Sequence, residues 1–295
     1  MSSEITDPQV LAFIDRTYRT FPEDSAKLSW SDMRRTYDMM AEEFRQPRPV
    51  GIAVEGGALD GPDGVVPFRR YWPRSPGPSR VLYFHGGGFV LGGLDSHDDV
   101  CAEIADRCGT EVVAVDYRLA PEHRYPAAVK DALAAVDRFC DRPLVLVGDS
   151  AGGNLVAGVC IQRSDRVQGA VMIYPGLGGQ ALALSSYAER ALAPMLTTND
   201  IATYQQLYIG HAETAADPVC APLLAQDLSG FPPAFISSAE HDPLRDDGPA
   251  FAERLADAGI AVEAVVEPEL PHGHLRARHM SDRAGHAFDR IIAAI

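Results

Sequence analysis

In the run Gly148-Asp149-Ser150-Ala151-Gly152-Gly153, a serine stands with glycine two positions before it and two after. A hydroxyl is a weak nucleophile until a base takes its proton, so the value of such a run lies in where it puts the oxygen. The run follows the apolar stretch PLVLV and precedes a segment of helical spacing. A serine in that sharp strand-to-helix turn is pushed out at the carboxyl edge of a sheet. The flanking glycines let strand and helix approach without a Cβ clash, and the helix N-terminus favours negative charge on a reacting oxygen. This spacing supports acyl transfer.

Acyl transfer also needs N–H groups aimed at the forming oxyanion. His85-Gly86-Gly87-Gly88-Phe89 ends the strand-like run VLYF, and three glycines together carry a backbone entropy cost that bare amides would justify. Gly87, Gly88 and Ala151, the residue after the serine, are the expected donors. A phosphate loop is excluded in detail, because Gly92 is followed by Gly93 rather than Lys-Ser/Thr, and no GxGxxG spacing occurs.

The serine needs a base and a group to orient it, expected in the order serine, acid, histidine. After PAFISS the chain reads Ala239-Glu240-His241-Asp242, which puts Asp242 just past a strand end, while Asp246 and Asp247 belong to the start of the next helix. After AVEAVVE it reads Pro268-Glu269-Leu270-Pro271-His272-Gly273-His274, and one of these two histidines is the expected base. His97, His123, His211, His279 and His286 lie away from those strand ends or in the wrong order, and His241 precedes its acid. His85 and Asp149 are expected to support the loops that carry them.

The elements that must position these residues follow a regular alternation. Val81–Phe84, Glu111–Asp116, Pro143–Val147, Gln168–Tyr174, Pro233–Ser238 and Ala261–Glu267 are short apolar runs of the kind found in strands covered on both faces. Helical spacing fills the gaps, over Ala127–Phe139, Ala151–Gln162, Pro249–Ala258 and Ala284–Ile292. Two early strands joined by the turn GPDG span Val50 to Trp72. The expected fold is α/β, a mainly parallel sheet of about eight strands flanked by helices.

Two segments interrupt the alternation, and both are expected to cover the site. In residues 1–46, Val10, Phe13, Ile14 and Tyr18, then Met33, Tyr37 and Met40, recur at helical spacing. The second is the insertion at 176–215, where Thr198 or Asn199 caps a helix carrying Ile201, Tyr204 and Tyr208 on one face. The sheet core then comprises 47–175 and 216–295.

Composition bounds the rest. With 295 residues, 46 % hydrophobic and 23 % charged, the chain can bury a sizeable core. Its formal charge of −15 repels polyphosphates, which speaks against nucleic acid as a partner. The acidic start MSSEITDPQVLAF and the lack of an eighteen-residue apolar run give the expectation of a cytoplasmic protein without stable membrane insertion. Five scattered cysteines suggest neither a disulfide framework nor a zinc site. A homodimer through the last strand is expected if that strand lies at a sheet edge.

Taken in order, HGGGF, the run DYRLAPEHRYPA from Asp116 to Ala127, GDSAGG, DPLRD and the HG near the end resemble the bacterial hormone-sensitive-lipase-like carboxylesterases of the α/β-hydrolase superfamily. The match spans about Val65 to the C-terminus. The resemblance implies Ser150 as nucleophile, Asp242 as acid and His272 as base, with Gly87, Gly88 and Ala151 as the oxyanion hole. It also implies a helical cap, no metal or organic cofactor, and a small-molecule ester of short to medium acyl chain as substrate. One departure is His274, standing where the family often has phenylalanine. An amidase, lactonase or deacetylase would use the same triad, whereas a non-catalytic receptor would lack one of its members. An epoxide hydrolase would need a carboxylate at position 150.

Overall fold

The computed structural model describes residues 4–22, 28–210 and 216–295, so His211 lies outside the described residues. Strands β1 (Ala53–Gly61) and β2 (Gly64–Trp72) form a hairpin on the turn Gly61-Pro62-Asp63-Gly64. They continue into β3 (Arg80–Phe84), β4 (Glu111–Val115), β5 (Leu144–Asp149), β6 (Gly169–Ile173), β7 (Ala234–His241) and β8 (Val262–Pro271). The eight strands form one sheet in the order β1-β2-β4-β3-β5-β6-β7-β8, antiparallel only around β2.

The two-residue period of a strand divides the core between two faces. From β3, Leu82 and Phe84 pack on one side with α4 (Ala127–Phe139), α5 (Ala151–Arg163) and α8 (Asp247–Asp257). Val81 and Tyr83 pack on the other with α3 (Asp98–Cys108) and α9 (Asp282–Ala293). Both faces of the central strands are dry, which is why their sequences read as unbroken apolar runs. β8 is the exception. As an edge strand it leaves Glu263, Ala264 and Val266 exposed despite its apolar sequence.

Several strands run past their apolar stretches, and this matters for the site. β5 continues to Asp149, β7 to His241 and β8 to Pro271, so Ser150, Asp242 and His272 are each the first residue beyond a strand. Backbone pairing with neighbouring strands, not side-chain hydrophobicity, carries those extensions.

The N-terminal segment forms α1 (Pro8–Tyr18) and α2 (Trp30–Phe44). Val10, Phe13, Ile14, Met40 and Phe44 pack on Leu270 and on Ala284 and Ala287 of α9. Tyr18 is about half exposed, and its hydroxyl accepts a hydrogen bond from the Met195 amide at 2.9 Å. Arg34 fastens α2 to the core by donating to the carbonyls of Val90 and Ala120 at 2.7 and 2.8 Å.

The insertion between β6 and β7 contains the short α6 (Ser186–Glu189) and α7 (Thr198–Ile209). The cap of α7 is Thr197 rather than Thr198 or Asn199. Its hydroxyl accepts from the Asp200 amide while the Asp200 carboxylate accepts from the Thr197 amide, a reciprocal capping box. The four-residue α6 has no period to detect in the sequence, so only α7 was legible there.

Candidate active site

Ser150 sits between β5 and α5 with φ 54° and ψ −116°, a conformation that a side chain adopts only under constraint. Its amide donates to the Ile173 carbonyl of β6 at 2.8 Å, which holds the turn. The glycines around it are required by close approach. A Cβ on Gly152 would meet the Phe84 carbonyl oxygen at 1.9 Å, and one on Gly148 would meet the Gly152 oxygen at 2.4 Å.

The three side chains at the strand ends meet. His272 Nε2 lies 2.9 Å from Ser150 Oγ, and His272 Nδ1 lies 2.6 Å from Asp242 Oδ2. An ionised carboxylate can only accept, so Nδ1 carries the proton and Nε2 is left to accept from the serine hydroxyl. Asp242 is fully buried, and its other oxygen accepts from the Leu244 amide at 2.9 Å, which fixes the carboxylate plane. His274 does not join them. Its Nδ1 faces the Pro271 carbonyl at 3.1 Å, its Nε2 is sealed without a partner, and its ring packs edge-on to Tyr174. Burial, the largest influence on it, pushes the His274 imidazole down to about 4.

The glycine loop lies beside the serine. Gly87 and Gly88 have φ 119° and 63°, values glycine reaches freely, and no hydrogen bond among the described residues uses the amides of Gly87, Gly88 or Ala151. Asp149 holds this loop: its Oδ1 accepts from the Gly86 amide at 2.9 Å and from the Tyr83 hydroxyl at 2.8 Å, with His97 Nε2 at 3.3 Å. Burial acts to raise the Asp149 carboxyl, yet His97 and these donors keep it well below the usual carboxylate range. His85 is stacked on Tyr117, with Nδ1 2.8 Å from the Gly86 carbonyl, and burial pushes it down to about 3. It is therefore a neutral strut of the loop.

All of this opens on a cavity of about 700 Å³. Tyr37 and Met33 of α2 line one side and Ile201, Tyr204 and Tyr208 of α7 another, with Ser150 and His272 in its wall. A Cβ on Gly88 would touch the Tyr204 ring at 2.6 Å, so α7 rests directly on the glycine loop. Two polar anchors hold the insertion. Asn154 of α5 donates to the carbonyls of Gly176 and Cys220 at 2.7 and 2.8 Å, and buried Asp247 accepts from Leu177, Gly179 and Tyr187. Burial raises the Asp247 carboxyl to about 7.

Sequence reasoning did not reach several of these. In sequence His97 stands away from the strand ends, yet it lies against Asp149, and Asp247 marks only the start of a helix, yet its carboxylate holds the insertion. Arg276, in the cavity wall, was not singled out at all. Only its place four residues beyond His272 hinted at it. Among the described residues there is no group of three or more His, Cys, Asp or Glu side chains arranged to hold a metal ion.

Residues 81–276 match the profile of a family described as having the α/β-hydrolase fold. Esterase LipI of Mycobacterium tuberculosis is 39 % identical over 269 residues, covering 85 % of this chain and 84 % of the relative. Carboxylesterase NlhH of the same organism is 40 % identical over 256 residues, 80 % of each chain. Among solved structures, a hyperthermophilic esterase from the archaeon Pyrobaculum calidifontis superposes with a TM-score of 0.90. It is 31 % identical and covers 99 % of this chain and 97 % of its own.

Proposed function

This chain belongs to the α/β-hydrolase family, in its hormone-sensitive-lipase-like carboxylesterase branch, and from that premise we propose that Ser150, His272 and Asp242 perform its catalysis. It is a carboxylic ester hydrolase. The observation that carries the assignment is the continuous path from Ser150 Oγ to His272 Nε2 and from His272 Nδ1 to Asp242, opening on a cavity with three unused amides beside it.

His272 takes the Ser150 proton as Oγ attacks the ester carbonyl, and Asp242 steadies the imidazolium that forms. The tetrahedral oxyanion collects at the amides of Gly87, Gly88 and Ala151, each worth on the order of 3 kcal/mol in related sites. His272 then gives its proton to the leaving alcohol, which leaves an acyl group on Ser150. Water, deprotonated by the same imidazole, attacks the acyl-enzyme and releases the acid.

The cavity is bounded by α2 and α7, so the acyl chain it accepts is short to medium. Hydrolysis of p-nitrophenyl esters from acetate to palmitate tests this. We expect kcat/KM to be greatest below about ten carbons; a maximum at palmitate would overturn the chain-length reading. All five cysteines are free, which suits the reducing cytoplasm as its compartment. Among the described residues no helix is long and apolar enough to cross a membrane.

A further inference from the structure

Arg276 lies in the short helical turn His274–Ala277 that follows His272, and its side chain lines the catalytic cavity. Its guanidinium carbon sits 4.8 Å from the centre of the Tyr37 ring of α2. No ion pair joins it to a carboxylate of the described residues, and its Nε and Nη2 are sealed from water without a hydrogen-bond partner. Nearby arginines are answered. Arg278 is held between Asp99 and Glu103 at 2.5 and 2.7 Å, and Arg290 is paired with Glu267.

A guanidinium this far from water without a directly paired carboxylate is unfavourable, and the attraction it receives from Asp149, which it does not touch, and from the neutral Tyr37 relieves it only in part. Tyr37 offers a ring face and a side-chain hydrogen bond but no charge. Behind Arg276 a void of about 10 Å³, beside Asp99 and Arg278, is near the size of one water but supplies no spare charge. Two carboxylates line the main cavity, and both are engaged: Asp149 by Gly86 and Tyr83, Asp200 by Thr197. The side chain is only partly buried, because one side opens on the cavity.

We infer that Arg276 provides the counter-charge for a carboxylate on the substrate, so that the enzyme prefers esters carrying a second, free acid group. This rests on the ester-hydrolase reading above. A guanidinium suits the role because it stays protonated, binds carboxylate through directed N–H donors and is more weakly hydrated than an ammonium. The substrates would be half-esters of dicarboxylic acids, or esters whose alcohol part bears a carboxylate.

Two matched pairs test it: p-nitrophenyl hemiglutarate against p-nitrophenyl pentanoate, and 4-acetoxybenzoate against its methyl ester. In at least one pair the wild type should favour the charged member by roughly tenfold in kcat/KM, mainly through KM. Arg276→Met should abolish that preference while changing the neutral esters by less than about threefold, and Arg276→Lys should keep part of it. An equal charged-to-neutral ratio in wild type and Arg276→Met would mean that Arg276 only supports α2. Wild type without preference in either pair overturns the inference even if both variants fail to fold.

Binding of free glutarate, read by calorimetry, does not depend on turnover. Affinity at least about tenfold tighter for wild type than for Arg276→Met supports the subsite, and equal affinity overturns it. Loss of turnover on all four esters with glutarate binding retained would instead contradict the hydrolase reading alone.

Discussion

Ser150→Ala is expected to lower kcat for p-nitrophenyl butyrate by at least about 10³-fold while the protein stays folded. The two halves of this expectation have separate causes. Among the described residues the Ser150 hydroxyl is the group hydrogen-bonded to His272 Nε2, at 2.9 Å, so its removal leaves the imidazole with nothing to activate but water. The free amides of Gly87, Gly88 and Ala151 remain, which is why some rate above the background should survive. The fold is a different matter. Alanine keeps the Cβ, the turn at φ 54° is held by the Ser150 amide on Ile173, and among the described residues no hydrogen bond besides that to His272 uses Oγ. An unchanged thermal midpoint alongside lost turnover is the expected pair of readings. A fully active variant would remove Ser150 from the mechanism.

The second large effect separates two histidines that sequence spacing leaves side by side. His272→Ala should cost about 10³-fold or more in kcat, since it removes both the acceptor of the Ser150 proton and the donor to the leaving group. His274→Phe should stay within a few-fold of wild type, because neither of its ring nitrogens reaches Ser150 or Asp242. A deeper loss in the His274 variant would reverse the assignment of the base.

The same residue carries a pH signature. The His274 imidazole is lowered to about 4 in the folded protein, against an unfolded value near 6.5. Between those values the unfolded chain binds a proton that the folded chain refuses, so the stability from keeping it neutral is complete above about pH 6.5. It is lost as pH falls towards 4, a change on the order of 3 kcal/mol. Phenylalanine removes that liability. Urea unfolding should therefore show a smaller fall in stability from pH 7 to pH 4.5 in His274→Phe than in wild type, and equal falls would contradict it.

The legible parts of this protein are those whose physics is local. A serine between glycines at a strand-to-helix turn must project as Ser150 does, because the Phe84 carbonyl comes within 1.9 Å of where a Gly152 Cβ would stand. Unbroken apolar runs told of strands covered on both faces, and five of the six such runs, β3 to β7, are buried almost throughout; β8 read the same way, yet an edge position leaves its outer residues wet. Residues whose roles depend on distant packing were harder. His97 reaches Asp149 from the far end of the segment joining β3 to α3, and Asp247 meets Leu177 and Gly179 across an insertion of some sixty residues. Arg276 has no sequence motif; only the cavity and the lack of an ion-paired carboxylate among the described residues single it out.

The central claim is that ester hydrolysis passes through an acyl group on Ser150, and covalent labelling tests it most directly. Wild-type enzyme is treated with diethyl p-nitrophenyl phosphate, residual esterase activity is followed, and the protein is digested for peptide mass analysis. Activity should fall in proportion to one phosphoryl group per chain, carried on the peptide that contains Ser150. Complete inactivation with the label on another residue, or full labelling of Ser150 with activity intact, would contradict the account.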